Sequence, residues 1–229
     1  MCNLNNPCIS HPLYLFFYAL FCIIFTNMKP LNEPKITNAK TNIAIFASGT
    51  GTNAKQIIQH FTAHPSVSVA LVVCNKPGAG VINIATDHHI PVLMIEKTRF
   101  AETGYVRELQ GHLVHFIVLA GFLWKVPDVL IQHYRNKIIN IHPALLPKYG
   151  GKGMYGAKVH EAVLASGDKT SGITIHYVDE HYDNGDIIFQ ATCPVMDDDT
   201  PATLANRIHQ LEHTHYPQIV EETVTKAVQ

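Results

Sequence analysis

The run Val67 to Cys74 (VSVALVVC) is apolar on both faces over most of its length. A strand of that kind needs helices above and below it, which is the environment of a parallel sheet. Related apolar runs recur at Ile43–Ala47, Pro91–Ile95, Phe116–Ala120 and Lys137–His142. Helix-compatible segments separate them: Ala54–Phe61 with Ile57, Ile58 and Phe61 at helical spacing, then Val81–His88, Glu102–His115 and Val126–Tyr134. This βαβα order implies an α/β fold with a doubly wound, mostly parallel sheet. The later part differs. Gly156–Ser166 reads as a helix, and Gly172–Val178 and Ile187–Gln190 read as strands joined by the short loop Asp179–Asp186. So short a connection predicts an antiparallel pair. A long terminal helix, Pro201–Val228, follows.

Charge divides the chain. Residues 1–28 carry no Asp, Glu, Lys or Arg, and they hold Cys2, Cys8 and Cys22 of the five cysteines. Leu13–Phe25 is an unbroken apolar run, shorter than the roughly 20 residues of a membrane-spanning helix. It has the length of a signal-peptide core but lacks the basic flank and the small-residue cleavage site. Three readings stand: a start at Met28 with the leader an over-extended frame, an export or anchor signal, or an unusual tail. Residues 1–40 are thus an apolar leader and polar linker, and 41–229 one domain. The body holds only Cys74 and Cys193, too few for a disulfide framework, so a cytoplasmic location is expected. A net charge of −1 gives no footprint for nucleic acid or an anionic membrane.

Between the first strand and the first helix lies Gly49-x-Gly51-x-x-Ala54, close to the dinucleotide fingerprint. Such a turn aims backbone N–H groups and the positive end of a helix at an anion. NAD recognition needs in addition an acidic residue about 20 positions on. No Asp or Glu occurs between Glu33 and Asp87, so the loop reads as a phosphate site rather than a dinucleotide site. A glycine turn with no ligand is the plain alternative.

Asn140 and His142 sit two apart on a strand that Pro143 ends, so they project to one face at the carboxyl edge of the sheet. An amide can hold an oxyanion while an imidazole moves a proton, a combination suited to chemistry at a carbonyl. Alone, such a pair is also ordinary polar chemistry at a strand end. The loop Asp179–Gly185 offers carboxylates that would favour a protonated His142; its plain reading is a solvated acidic turn. His209-Gln-Leu-Glu212-His213 fits a zinc-peptidase pattern, but only Glu221 and Glu222 follow as acidic ligands, so no metal is expected. His88-His89 has no supporting ligand spacing and reads as surface.

Four segments in order, SGTGTN (48–53), AGFLWKVP (120–127), NIHPALLPKYGG (140–151) and GITIHYVDEHYDNG (172–185), resemble the phosphoribosylglycinamide formyltransferases, folate-dependent formyltransferases of purine synthesis. The resemblance covers roughly residues 41–229 and implies a Rossmann-like formyltransferase fold. It implies that Asn140 and His142 are catalytic with Asp183 as the acid paired to the histidine. Gly51, Thr52 and Asn53 would hold the phosphate of the ribonucleotide and Glu212 its ribose. Leu123, Trp124, Lys125 and Val126 would line the folate pocket through their backbone, with Asn140 beside the cofactor. Trp124 stands where relatives often carry arginine, and Glu102 where many carry a basic residue near the formyl group, with Arg99 close by. The implied co-substrate is 10-formyltetrahydrofolate, with no metal. Partners would be small molecules, not nucleic acid or membrane, in a monomer or weak homodimer. Formyltetrahydrofolate hydrolase, methionyl-tRNA formyltransferase, sugar-nucleotide formyltransferases and a non-catalytic nucleotide-binding module are the rival readings.

Overall fold

Alternation along β1 (Thr41–Ala47) splits its side chains between two cores. Ile43, Ile45 and Ala47 enter one, and Ala44 and Phe46 enter the other. The same division runs through β2 (Val67–Cys74), β4 (Phe116–Leu119) and β5 (Ile138–His142), so the sheet is covered on both faces as its apolar runs require. The computed structural model describes residues 40–227, and the expected leader and linker over residues 1–39 lie outside the described residues.

With β3 (Val92–Met94), β6 (Thr170–Tyr177) and β7 (Ile187–Pro194), the strands form one sheet in the order β3-β2-β1-β4-β5-β6-β7. The first five are parallel, β6 runs antiparallel to β5, and β7 antiparallel to β6. Helices α1 (Thr52–Phe61), α2 (Gly80–Asp87), α5 (Ala157–Ser166) and α6 (Pro201–Lys226) contribute to the first core. Helices α3 (Gly104–Gly111) and α4 (Asp128–His133) contribute to the second.

Most elements match the sequence reading in length to within three residues, and two differ by more. The helix expected over 102–115 ends at Gly111, and Leu113 turns left-handed at φ 53° with its side chain exposed. The strand expected at Ile187–Gln190 continues to Pro194, because β6 begins at Thr170 and offers partners to Ala191–Pro194.

Chain order reverses between β1 and β4. Open α/β sheets bind ligands outside the carboxyl ends of their strands at such a point. There the loop after β1 meets the loop after β4: Ser48 N–H donates to the Gly121 carbonyl, and Leu123 N–H donates to Ser48 Oγ. Tyr216 of α6, fully buried, donates its hydroxyl hydrogen to the Leu119 carbonyl at 2.8 Å and fixes the helix behind that edge.

Candidate active site

The glycine turn after β1 owes its shape to two close approaches. Gly51 lies at φ 79° and caps α1, and a Cβ there would stand 2.7 Å from Val81 Cβ. A Cβ on Gly80 would stand 2.8 Å from the Thr50 carbonyl oxygen. The turn and the start of α2 therefore touch backbone to backbone, and Val81 N–H donates to the Gly49 carbonyl across that contact. Gly51, Thr52 and Asn53 line a cavity of about 460 Å³ whose far wall is Ala202, Ala205, His209 and Glu212 of α6. Asn53 Nδ2 donates to Glu212 Oε2 at 2.9 Å, and His209 Nδ1 donates to the same oxygen at 2.9 Å. Both bonds fall on one oxygen, so the second oxygen of this buried carboxylate is left for a ligand. The hydrogen bond to Glu212 raises the His209 imidazole above its ordinary value, which favours positive charge at this wall. The four residues expected to hold the phosphoribosyl group thus lie together.

Asn140 and His142 share a face of β5, and the antiparallel register with β6 sets His176 opposite Asn140 on that same face. His176 donates from Nδ1 to the Tyr177 carbonyl at 2.8 Å, so its Nε2 accepts from Asn140 Nδ2 at 3.2 Å. Burial pushes the His176 imidazole down, in keeping with a neutral ring in that role. Asn140 is oriented through one amide hydrogen, and its other remains free. His142 is 3% exposed and donates from Nε2 to the Tyr149 carbonyl at 2.8 Å. Its Nδ1 stands 3.6 Å from Asp183 Oδ2, an oxygen that also accepts from Gly151 N–H at 2.9 Å. Asp183 Oδ1 lies 3.7 Å from His176 Nε2. That separation is no hydrogen bond, because the His176 hydrogen is on its other nitrogen. Asp183 is held at φ 51°, and a Cβ on Gly150 would stand 3.2 Å from Asp183 Cβ, a tight contact that asks the loop to give by a few tenths of an ångström.

The three expected catalytic residues line a second cavity of about 380 Å³ with Leu123, Trp124, Lys125 and Val126 on its wall. Gly121, Leu123 and Ile141 line both cavities, so the Asn140–His142 strand end lies where the two meet. The side chain of Trp124 packs toward Phe100 and Phe122, at 5.9 and 6.4 Å between ring centroids. Lys125 pairs with Asp128 at 3.3 Å.

Other sequence features take different places. Glu212 of the zinc-like pattern is bonded to Asn53 and His209. Among the described residues no group of three His, Cys, Asp or Glu side chains is arranged to hold a metal ion. His88 and His89 are exposed. Arg99 lies over the Tyr105 ring and 3.7 Å from Glu108, and neither Arg99 nor Glu102 lines the two cavities. Sequence reasoning assigned no role to His176. The available signal was the alternation of Gly172, Thr174 and His176 with Ile173 and Ile175, which sets His176 on the polar face of a strand otherwise buried.

Comparison with known proteins gives a consistent picture. The formyl transferase family profile matches residues 41–220. A chloroplastic phosphoribosylglycinamide formyltransferase from Vigna unguiculata is 41% identical over 195 residues, covering 82% of this chain; the chain spans 62% of that relative's length. The phosphoribosylglycinamide formyltransferase of Bacillus subtilis (strain 168) is 40% identical over 185 residues, 78% of this chain and 92% of the relative. Among solved structures, a phosphoribosylglycinamide formyltransferase from Bacillus halodurans superposes with a TM-score of 0.74 at 37% identity, covering 82% of this chain and 97% of that one.

Proposed function

The chain belongs to the formyl transferase family, and from that membership we propose that it moves the formyl group of 10-formyltetrahydrofolate to the amine of 5-phosphoribosylglycinamide in purine biosynthesis. The observation that carries this reading is the convergence of Asn140, His142 and Asp183 where two cavities meet. One cavity has a glycine turn at a helix N-terminus and a buried carboxylate, features suited to a phosphate and a ribose hydroxyl. The other is broader in aromatic lining and suits a flat heterocycle, with Leu123 to Val126 on its wall. Relatives bearing the name phosphoribosylglycinamide formyltransferase add support.

In this reading the amine attacks the formyl carbon, and negative charge develops on the formyl oxygen. The free N–H of Asn140 donates to that oxygen, its direction set by the bond to His176. The Nδ1 edge of His142 carries the proton destined for the departing nitrogen, with Asp183 beside it as counter-charge. Tyr149 and Gly151 hold this pair through their backbone.

The test follows folate absorbance with and without the ribonucleotide. Release that requires the ribonucleotide supports transfer; release without it points to the hydrolase, and no release to a binding module. Asn140→Ala and His142→Ala should each lower kcat by about 10²–10³-fold. Trp124 is the single tryptophan of the chain and lines the folate-side cavity, so its fluorescence reads occupancy. It should show folate affinity within about threefold of the parent in both variants. Equal losses in rate and affinity refute the assignment.

A further inference from the structure

Formyl transfer leaves one proton to place. An α-amine has a pKa of about 8, so near neutral pH the glycinamide arrives largely as an ammonium, with no electron pair to attack with. His142 and Asp183 serve the formyl side, and a base is needed on the amine side.

We propose, resting on the transferase reading, that His160 is that base: its Nδ1 takes one proton from the substrate ammonium and frees the amine to attack. His160 stands on α5 and is 4% exposed. It lines the phosphoribosyl-side cavity together with Asn53, Glu212, and Ile141 and Pro143, the chain neighbours of His142. Its Nδ1 is sealed from solvent and meets no protein partner. Among the described residues, Asn53 Oδ1 is the other sealed, unpartnered side-chain atom on that cavity wall. A buried polar atom without a partner calls for one, and a turn of the ring that brings Nδ1 to the cavity lets a substrate N–H supply it.

The surroundings keep the lone pair available. Burial pushes the His160 imidazole down, His209 of α6 and His142 of β5 push the same way, and Glu212 of α6 opposes them. A neutral ring with no acceptor beside Nδ1 leaves that nitrogen bare and its hydrogen on Nε2. In the transfer, one ammonium N–H bond breaks and its proton goes to Nδ1, while the released pair forms the new C–N bond. The second amine proton leaves with the departing folate nitrogen by way of His142. The proton on His160 returns to solvent once product has gone.

His160→Gln is the test, with His160→Asn as the second variant should the first fail to fold. In the unsubstituted protein kcat/KM for the ribonucleotide should be level from about pH 6.5 to 8. In the variant, kcat at pH 7 should fall about tenfold, KM for the ribonucleotide should stay within about threefold, and the rate should climb about tenfold per pH unit toward the amine pKa. That climb is the signature, since the variant turns over only amine that solvent has already deprotonated. A variant with the parent's pH profile, whatever its rate, overturns the proposal, as does a loss confined to KM. Failure of the transferase reading is distinct: the unsubstituted chain then shows no ribonucleotide-dependent transfer at all.

Discussion

Gly51→Ala isolates the backbone strain of the glycine turn. A left-handed residue other than glycine costs about 1–2 kcal/mol, and Gly51 stands at φ 79°. The new methyl would also lie 2.7 Å from Val81 Cβ and 2.8 Å from Val81 Cα. A rotamer change cannot move either atom, and the Val81 N–H is bonded to the Gly49 carbonyl, so the start of α2 must shift. Overpacking of this kind costs about 1–3 kcal/mol. Together the two terms predict a loss of about 2–5 kcal/mol. In urea unfolding, with a slope of about 2 kcal/mol/M, the midpoint should fall by about 1–2.5 M. Gly49→Ala is the control, because a Cβ at that position meets nothing within 4 Å; it should cost less than about 1 kcal/mol. Folding variants of Gly51 should also bind the ribonucleotide more weakly while Trp124 still reports folate-side binding. If Gly51→Ala matches Gly49→Ala in stability to within about 0.5 kcal/mol, the account of the turn is wrong.

Two further outcomes concern α6. Glu221 accepts from His60 Nε2 at 2.6 Å and His64 Nε2 at 3.0 Å, and these bonds, His60 first, hold its carboxyl below the ordinary value. A depressed carboxylate contributes stability that is complete above its unfolded value near pH 4.3 and lost as pH falls through the folded one. The side chain is 38% exposed and screened by solvent, so Glu221→Gln should lower Tm at pH 7 by only about 1–3 °C. The two proteins should melt alike below about pH 3, and a gap that persists there contradicts the assignment. Tyr216→Phe strips the Leu119 carbonyl of its buried donor and should cost about 1–3 kcal/mol in urea unfolding. A cost under about 0.5 kcal/mol would mean that this bond does not anchor the helix to the site.

The fold was legible where one local rule decided it. Val67 and Leu71–Cys74 are buried as the two-faced apolar pattern demands, and the parallel strands follow from β1 to β5. Length proved less legible: the far half of β7 alternates polar and apolar residues too weakly to declare itself, and it becomes strand because Thr170–Ile173 of β6 supply the ladder. The site divides in the same way. Asn140 and His142 declare themselves because a period of two and a following proline set both at a strand end. The role of His176 depends on strand register, since nothing local says that β6 returns antiparallel beside β5 after a helix that would suit a parallel crossover. Asn53 and Glu212 lie 159 residues apart, and their hydrogen bond exists only because α6 crosses behind the glycine turn. His160 lay on a helix with no motif to mark it, and what singles it out is a nitrogen without a partner in a cavity wall. Local pattern therefore named the residues that carry chemistry along a strand, whereas those that hold or complete the site required the packing of elements distant in sequence.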